Sequence, residues 1–196
     1  MMDPSRQIDE IHRRLAVTTG FSGFRPEFVL SVALFATAVA VGIELFGFVE
    51  RSIKDVLYVW IGIAAVIVVI TAIGVVIPAA RASSRLARAA AKGVSFQLAP
   101  VLAVGLSASL LLINNHSELV WILPSLWSAV MGLGIVSMMP YLPAPTGTAA
   151  LWYFACSVVL YRFAPDTSRE LNRAMGIVFG GGHFLTGLLL FKARRS

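Results

Sequence analysis

The sequence predicts an all-α polytopic membrane bundle, six transmembrane spans preceded by a short amphipathic helix. Of its 196 residues, 58% are hydrophobic and 13% charged, and the mean hydropathy is +0.82; soluble domains are roughly 45–50% apolar and about 25% charged. The apolar residues fall into six runs close to the roughly 20 residues that cross a hydrocarbon core about 30 Å thick. Short connections separate the runs, which leaves no room for an independent soluble domain.

Residues 1–27 read as a cytoplasmic arm. Asp3 suits a helix N-cap, Pro4 the first helical position, and Ile8, Ile11 and Leu15 recur at helical spacing, so residues 3–20 should form an amphipathic helix outside the bilayer. That helix either docks a cytoplasmic protein or rests on the membrane surface. A cleavable signal peptide would open its apolar region near the start. Here the first apolar run opens at Phe28, and it reads as a retained anchor.

The expected spans are residues 28–49, 56–80, 96–113, 119–139, 142–161 and 174–191, with a basic tail at 192–196. The third and sixth are short and rely on snorkelling flanks. In the fifth, Pro143 and Pro145 leave only Thr148 to Tyr161 uninterrupted, so a re-entrant segment competes with a full crossing. Pro78 should end or kink the second span, while Pro100 and Pro124 sit near helix starts. Trp60, Trp121, Trp127 and Trp152, with Tyr58, Tyr141, Tyr153 and Tyr161, lie mostly near the expected interfaces, with Trp127 deeper and packed between helices.

Lys and Arg set the orientation. With six spans, Arg6, Arg13, Arg14, Arg25, Arg81, Arg85, Arg88, Lys92, Lys192, Arg194 and Arg195 share one side, and Arg51, Lys54, Arg162, Arg169 and Arg173 the other. The amino terminus is therefore expected inside, in a bacterial-type inner membrane. A five-span count exchanges three positive residues for three and ties on charge, but 119–161 is too long for one crossing. Arg81, Arg85, Arg88 and Lys92 are spaced along one helical face and suit anionic lipid headgroups at the cytoplasmic side. The same chemistry explains the net charge of +6 without nucleic acid.

Ionisable residues within a bilayer are costly and mark candidate sites; Glu44 and His183 are the two inside the runs. Both are expected in the outer half, at depths differing by about 6 Å at 1.5 Å per residue. Two readings follow: a proton- or cation-linked pair, or a His183 satisfied within the bundle beside a Glu44 that reaches water, Arg51 or Lys54. Gly176 and Gly180 form a GxxxG pattern for close helix packing. Gly180, Gly181 and Gly182 together could instead mark an unwound stretch.

No hydrolase elbow, zinc motif or phosphate loop is present, and Cys156 is the single cysteine. His116, Glu118, Asp166 and Glu170 show no recognised ligand spacing, and Ser107 and Ser109 lack a base nearby in sequence. No cofactor, metal or enzymatic activity is expected. The general layout looks like that of many small bacterial membrane proteins, but no motif carries over a family's activity. The sequence thus favours an accessory, sensory or assembly component with a cytoplasmic protein partner or a second copy. The alternative is a small oligomeric transporter or channel with Glu44 and His183 near its path.

Overall fold

The computed structural model describes residues 25–73, 77, 81 and 85–195. Among these the ordered elements are all helical. They are α1 (Pro26–Leu45), α2 (Ile53–Thr71), α3 (Arg85–Asn115), α4 (Leu123–Met138) and α5 (Gly147–Arg162). The last rod, α6, comprises Ser168–Met175, a π-helical turn Gly176–Gly180, and Gly181–Arg195. The expected amphipathic arm over 3–20 and Pro78 lie outside the described residues.

Local sequence accounts for the boundaries. Pro26 occupies the first turn of α1, where its missing N–H costs nothing. Gly47, at φ +71°, lets the chain turn out of α1 through the left-handed region that side chains avoid. A capping box opens α2, with Ser52 Oγ accepting from Asp55 N at 3.3 Å and Ser52 N donating to the Asp55 carboxylate at 3.3 Å. Thr167 caps α6 through Glu170 N at 3.2 Å, while Glu170 Oε2 accepts from Asp166 N at 3.0 Å.

Five helical segments are long and apolar enough to cross a membrane: Pro26–Leu45, Ile53–Thr71, Lys92–Asn115, Glu118–Tyr141 and Ser168–Arg194. The chain is therefore a multi-pass membrane protein. The 16 residues of α5 reach only about 24 Å at 1.5 Å per residue. Even so, α5 runs antiparallel to α4 along the bundle: Ser125 Oγ donates to the Ser157 carbonyl at 2.8 Å and Ser128 Oγ to the Tyr153 carbonyl at 2.6 Å. Small residues allow this approach, since a Cβ on Gly132 would meet the Phe154 ring at 2.8 Å.

These contacts sort the loops into two ends. At one end Arg194 pairs with Glu27 at 3.3 Å, and the Tyr141 ring covers Gly93 beside Lys92. At the other, Ser168 Oγ donates to the Arg51 carbonyl at 2.7 Å, Tyr58 meets Asn114 at 3.5 Å, and Trp121 lies 5.9 Å from Tyr161. The proline-rich connection, two 3₁₀ turns at Met139–Tyr141 and Ala144–Thr146, belongs to the first end. α5 therefore runs between the same two ends of the bundle as α4.

Several expected boundaries change. The first span stops at Leu45 rather than 49, because Gly47 turns the chain. The expected basic segment and the third span fuse into one helix, and Pro100 lies inside it. Its lost N–H is tolerated because Ala and Leu on either side are strong helix formers and lipid offers no competing partner. The sixth span begins at Ser168 rather than 174, because Thr167 and Glu170 cap it.

The closest packing is the antiparallel pair of α1 and α6. Glycines on α6 meet small residues on α1: a Cβ on Gly176 would touch that of Ala40 at 2.7 Å, and one on Gly180 would stand 3.6 Å from the Thr37 Cβ. Gly187 faces Leu30 in the same way, at 2.7 Å. Ala33, Ala36 and Ala40 are buried on the facing side of α1. Lipid tails compete equally for apolar contact, so van der Waals contact at close range is what holds such helices together. By contrast, α2 and α3 leave large apolar side chains such as Val69, Ile70, Val104 and Leu111 exposed, as lipid-facing helices do.

Two glycine substitutions should therefore behave oppositely. Gly176→Ala meets a methyl that has no rotamer to move, and should lose about 1–3 kcal/mol of unfolding free energy in an SDS titration. Gly62→Ala, with nothing within 4 Å, should be neutral or gain up to about 1 kcal/mol from helix propensity.

Candidate functional site

The two intramembrane candidates have different partners. Glu44, on the last turn of α1, accepts from Arg173 through both oxygens, with Nε at 2.8 Å and a terminal guanidinium nitrogen at 3.2 Å. This bidentate geometry suits a guanidinium and a carboxylate. His183 lies about 15 Å further along α6 at 1.5 Å per residue. The structure does not bring Glu44 and His183 together, although α1 and α6 are neighbours as a shared site would need. The expected 6 Å offset failed because α1 ends earlier and α6 begins earlier than hydropathy alone places them. Arg51 and Lys54 are not the partners of Glu44 among the described residues; Arg51 lies over the Phe48 ring at 4.6 Å.

The Glu44–Arg173 pair marks one boundary of the membrane-embedded bundle. Arg173 and Arg194 are separated by about 31 Å along α6, close to the roughly 30 Å hydrocarbon thickness, and each clasps a carboxylate at the corresponding end of α1. Glu44 therefore lies at one end of a stretch of bundle about as long as a hydrocarbon core is thick. Directly beneath it, Asn172 is fully buried. Its amide donates to the Ala40 carbonyl at 2.7 Å and accepts from Trp60 Nε1 at 3.2 Å. One side chain thus ties α1, α2 and α6 together.

His183 belongs to a second polar group. Its Nδ1 lies 2.7 Å from the Phe179 carbonyl and 3.0 Å from the Tyr153 hydroxyl. A carbonyl only accepts, so these partners assign the hydrogen of the neutral ring to Nδ1. The Tyr153 oxygen is then a second acceptor, and Tyr153 itself is wholly buried. Its ring meets the imidazole edge-on at 6.3 Å between centroids.

The π turn explains why this segment needs side-chain donors. A π-helical turn departs from the regular i→i−4 ladder, and side-chain donors supplement its carbonyls. Val178 O accepts from Trp152 Nε1 at 3.3 Å, and Phe179 O takes His183. The three glycines then present successive faces, about 100° apart: Gly180 to Thr37, Gly181 to Trp152 and Gly182 to the Tyr153 ring. The segment is helical throughout, in contrast to the unwound alternative.

Other candidates sit apart from these groups. Ser109 donates to the Gly105 carbonyl at 2.6 Å and accepts from Trp127 at 2.7 Å, so it joins α3 to α4. His116 pairs with Glu118 at 3.4 Å on an exposed turn. Cys156 is half-buried. Arg88 and Lys92 are exposed at the start of α3, and Arg81 is exposed before it; the side chain of Arg85 lies outside what is described. Among the described residues no three of His, Cys, Asp and Glu gather as a metal site would require.

Asn172 and Arg173 fall in the loop expected before the sixth span, so hydropathy does not mark them as site residues. The Thr167-Ser-Arg-Glu170 pattern is the signal that places them on a helix. The chain matches no known protein-family model, no curated protein and no solved structure.

If the Glu44–Arg173 clasp fixes the α1–α6 register, Glu44→Arg should lower the melting temperature in detergent. Adding Arg173→Glu to that variant should restore most of the loss. Asn172→Leu should cost about 1–3 kcal/mol in the SDS titration, because Trp60 N–H and the Ala40 carbonyl lose a buried partner.

Proposed function

We propose that the chain is a non-enzymatic integral membrane protein of a bacterial-type inner membrane, an accessory, sensory or assembly component with its amino terminus in the cytoplasm. The observation that carries this reading is the separate engagement of the two polar candidates. Glu44 is held by Arg173, and His183 is held by Tyr153 and the Phe179 carbonyl. A transport path needs polar groups that can exchange partners with a passing ion. Here Glu44 already has one at the end of α1 and His183 has one inside the bundle.

The basic face supports the same reading. Arg25, Arg88, Lys92, Lys192 and Arg194 lie toward the end where Glu27 meets Arg194, the end proposed to be cytoplasmic. Anionic headgroups there would hold the protein at a fixed depth, each nearby Lys or Arg gaining about 1 kcal/mol. A cytoplasmic protein partner, or a second copy of the chain, would meet the same end.

Proteoliposomes containing a pH-sensitive dye test the functional claim. The protein should give no proton or potassium flux above protein-free vesicles. A flux that disappears in His183→Ala would establish the transporter reading in its place. For orientation, a reporter fused at Pro145 should read cytoplasmic and one at Asp166 external.

A further inference from the structure

Beyond the paired polar groups, the end of the bundle bearing the Arg162–Thr167 loop holds an open depression of about 600 Å³. Its walls combine apolar and charged groups: Leu160, Phe163 and Ala174 on one hand, Arg162, Asp166 and Glu170 on the other. Arg162 is the last residue of α5 and Ala174 lies in the second turn of α6. The depression therefore spans the boundary between headgroups and acyl chains.

Two of the charges in it have no ionic partner among the described residues, while Glu170 also feels the charge of Arg173. Among the described residues neither Arg162 nor the Asp166 carboxylate makes an ion pair; Arg162 lies over the Phe163 ring at 5.3 Å. Glu170 uses one oxygen to accept from Asp166 N, which fixes its carboxylate beside that loop. One guanidinium and two carboxylates lining the same depression complement a ligand that carries an anion and a cation a short distance apart.

We propose that this depression binds the headgroup of a zwitterionic phospholipid with a primary ammonium, of the phosphatidylethanolamine type. Arg162 takes the phosphate, for which the guanidinium fork is suited. Asp166 and Glu170 take the ammonium, whose three N–H donors need acceptors. Leu160, Phe163 and Ala174 lie against the start of the acyl chains. A choline headgroup has no N–H to donate and is favoured by an aromatic cage, whereas the aromatic ring lining this site, Phe163, already carries Arg162. An anionic headgroup without an amine would leave the two carboxylates facing a like charge.

Native mass spectrometry of the full chain, equilibrated with equimolar phosphatidylethanolamine and phosphatidylcholine of identical acyl chains, tests this. The protein should retain the ethanolamine lipid by about tenfold over the choline lipid, the factor a charge-assisted hydrogen bond supplies. Asp166→Asn, at an exposed side chain with no structural partner among the described residues, should abolish the preference. Arg162→Gln should weaken both lipids alike. Equal retention of the two lipids by the unaltered protein would overturn the proposal, as would a preference that survives Asp166→Asn.

Discussion

The close approach of α1 and α6 is the constraint on which the rest of this bundle depends. In lipid, helices gain little from burying apolar surface, so they must gain from contact distance. Glycine at 176, 180 and 187 on α6, against alanine, threonine and leucine on α1, supplies that distance. Once the two helices touch backbone to backbone, their register has no slack. Arg173 must then meet Glu44, and Arg194 must meet Glu27.

That register also decides what the intramembrane polar groups can do. The clasp residues fall at the two ends of the hydrocarbon span, where charge is tolerated. His183 falls between them and cannot reach either carboxylate. The π turn carries Gly176 and Gly180 against α1, and Trp152 and His183 donate to carbonyls in it. The imidazole therefore serves to tie α5 to α6 through Tyr153. The same economy holds elsewhere: Asn172 joins three helices, and Ser109, Ser125 and Ser128 each bridge or tether helices that apolar contact alone would leave free to slide.

Much of the architecture was legible in the sequence because hydropathy and length are the properties a bilayer selects. The all-α class and the glycine pattern at Gly176 and Gly180 were both readable there. Helix ends were less so. A hydropathy run fades where polar caps begin, so Ser168 to Arg173 looked like loop even though Thr167 and Glu170 cap a helix. Gly47 ended α1 inside a run that still looked apolar. Those two boundary shifts moved the candidate pair apart, since a few residues of helix carry a side chain several ångströms along the axis. Partners distant in sequence, such as Trp60 for Asn172, leave no local pattern at all.

Disulfide trapping tests the α1–α6 register most directly. In a Cys156→Ala background, Thr37→Cys with Gly180→Cys should cross-link readily under mild oxidation, because the two Cβ positions lie 3.6 Å apart and disulfides need about 3.5–4.5 Å. Glu44→Cys with His183→Cys should not cross-link. The reverse pattern, an efficient link between positions 44 and 183 and none between 37 and 180, would contradict the register and reopen a shared intramembrane site.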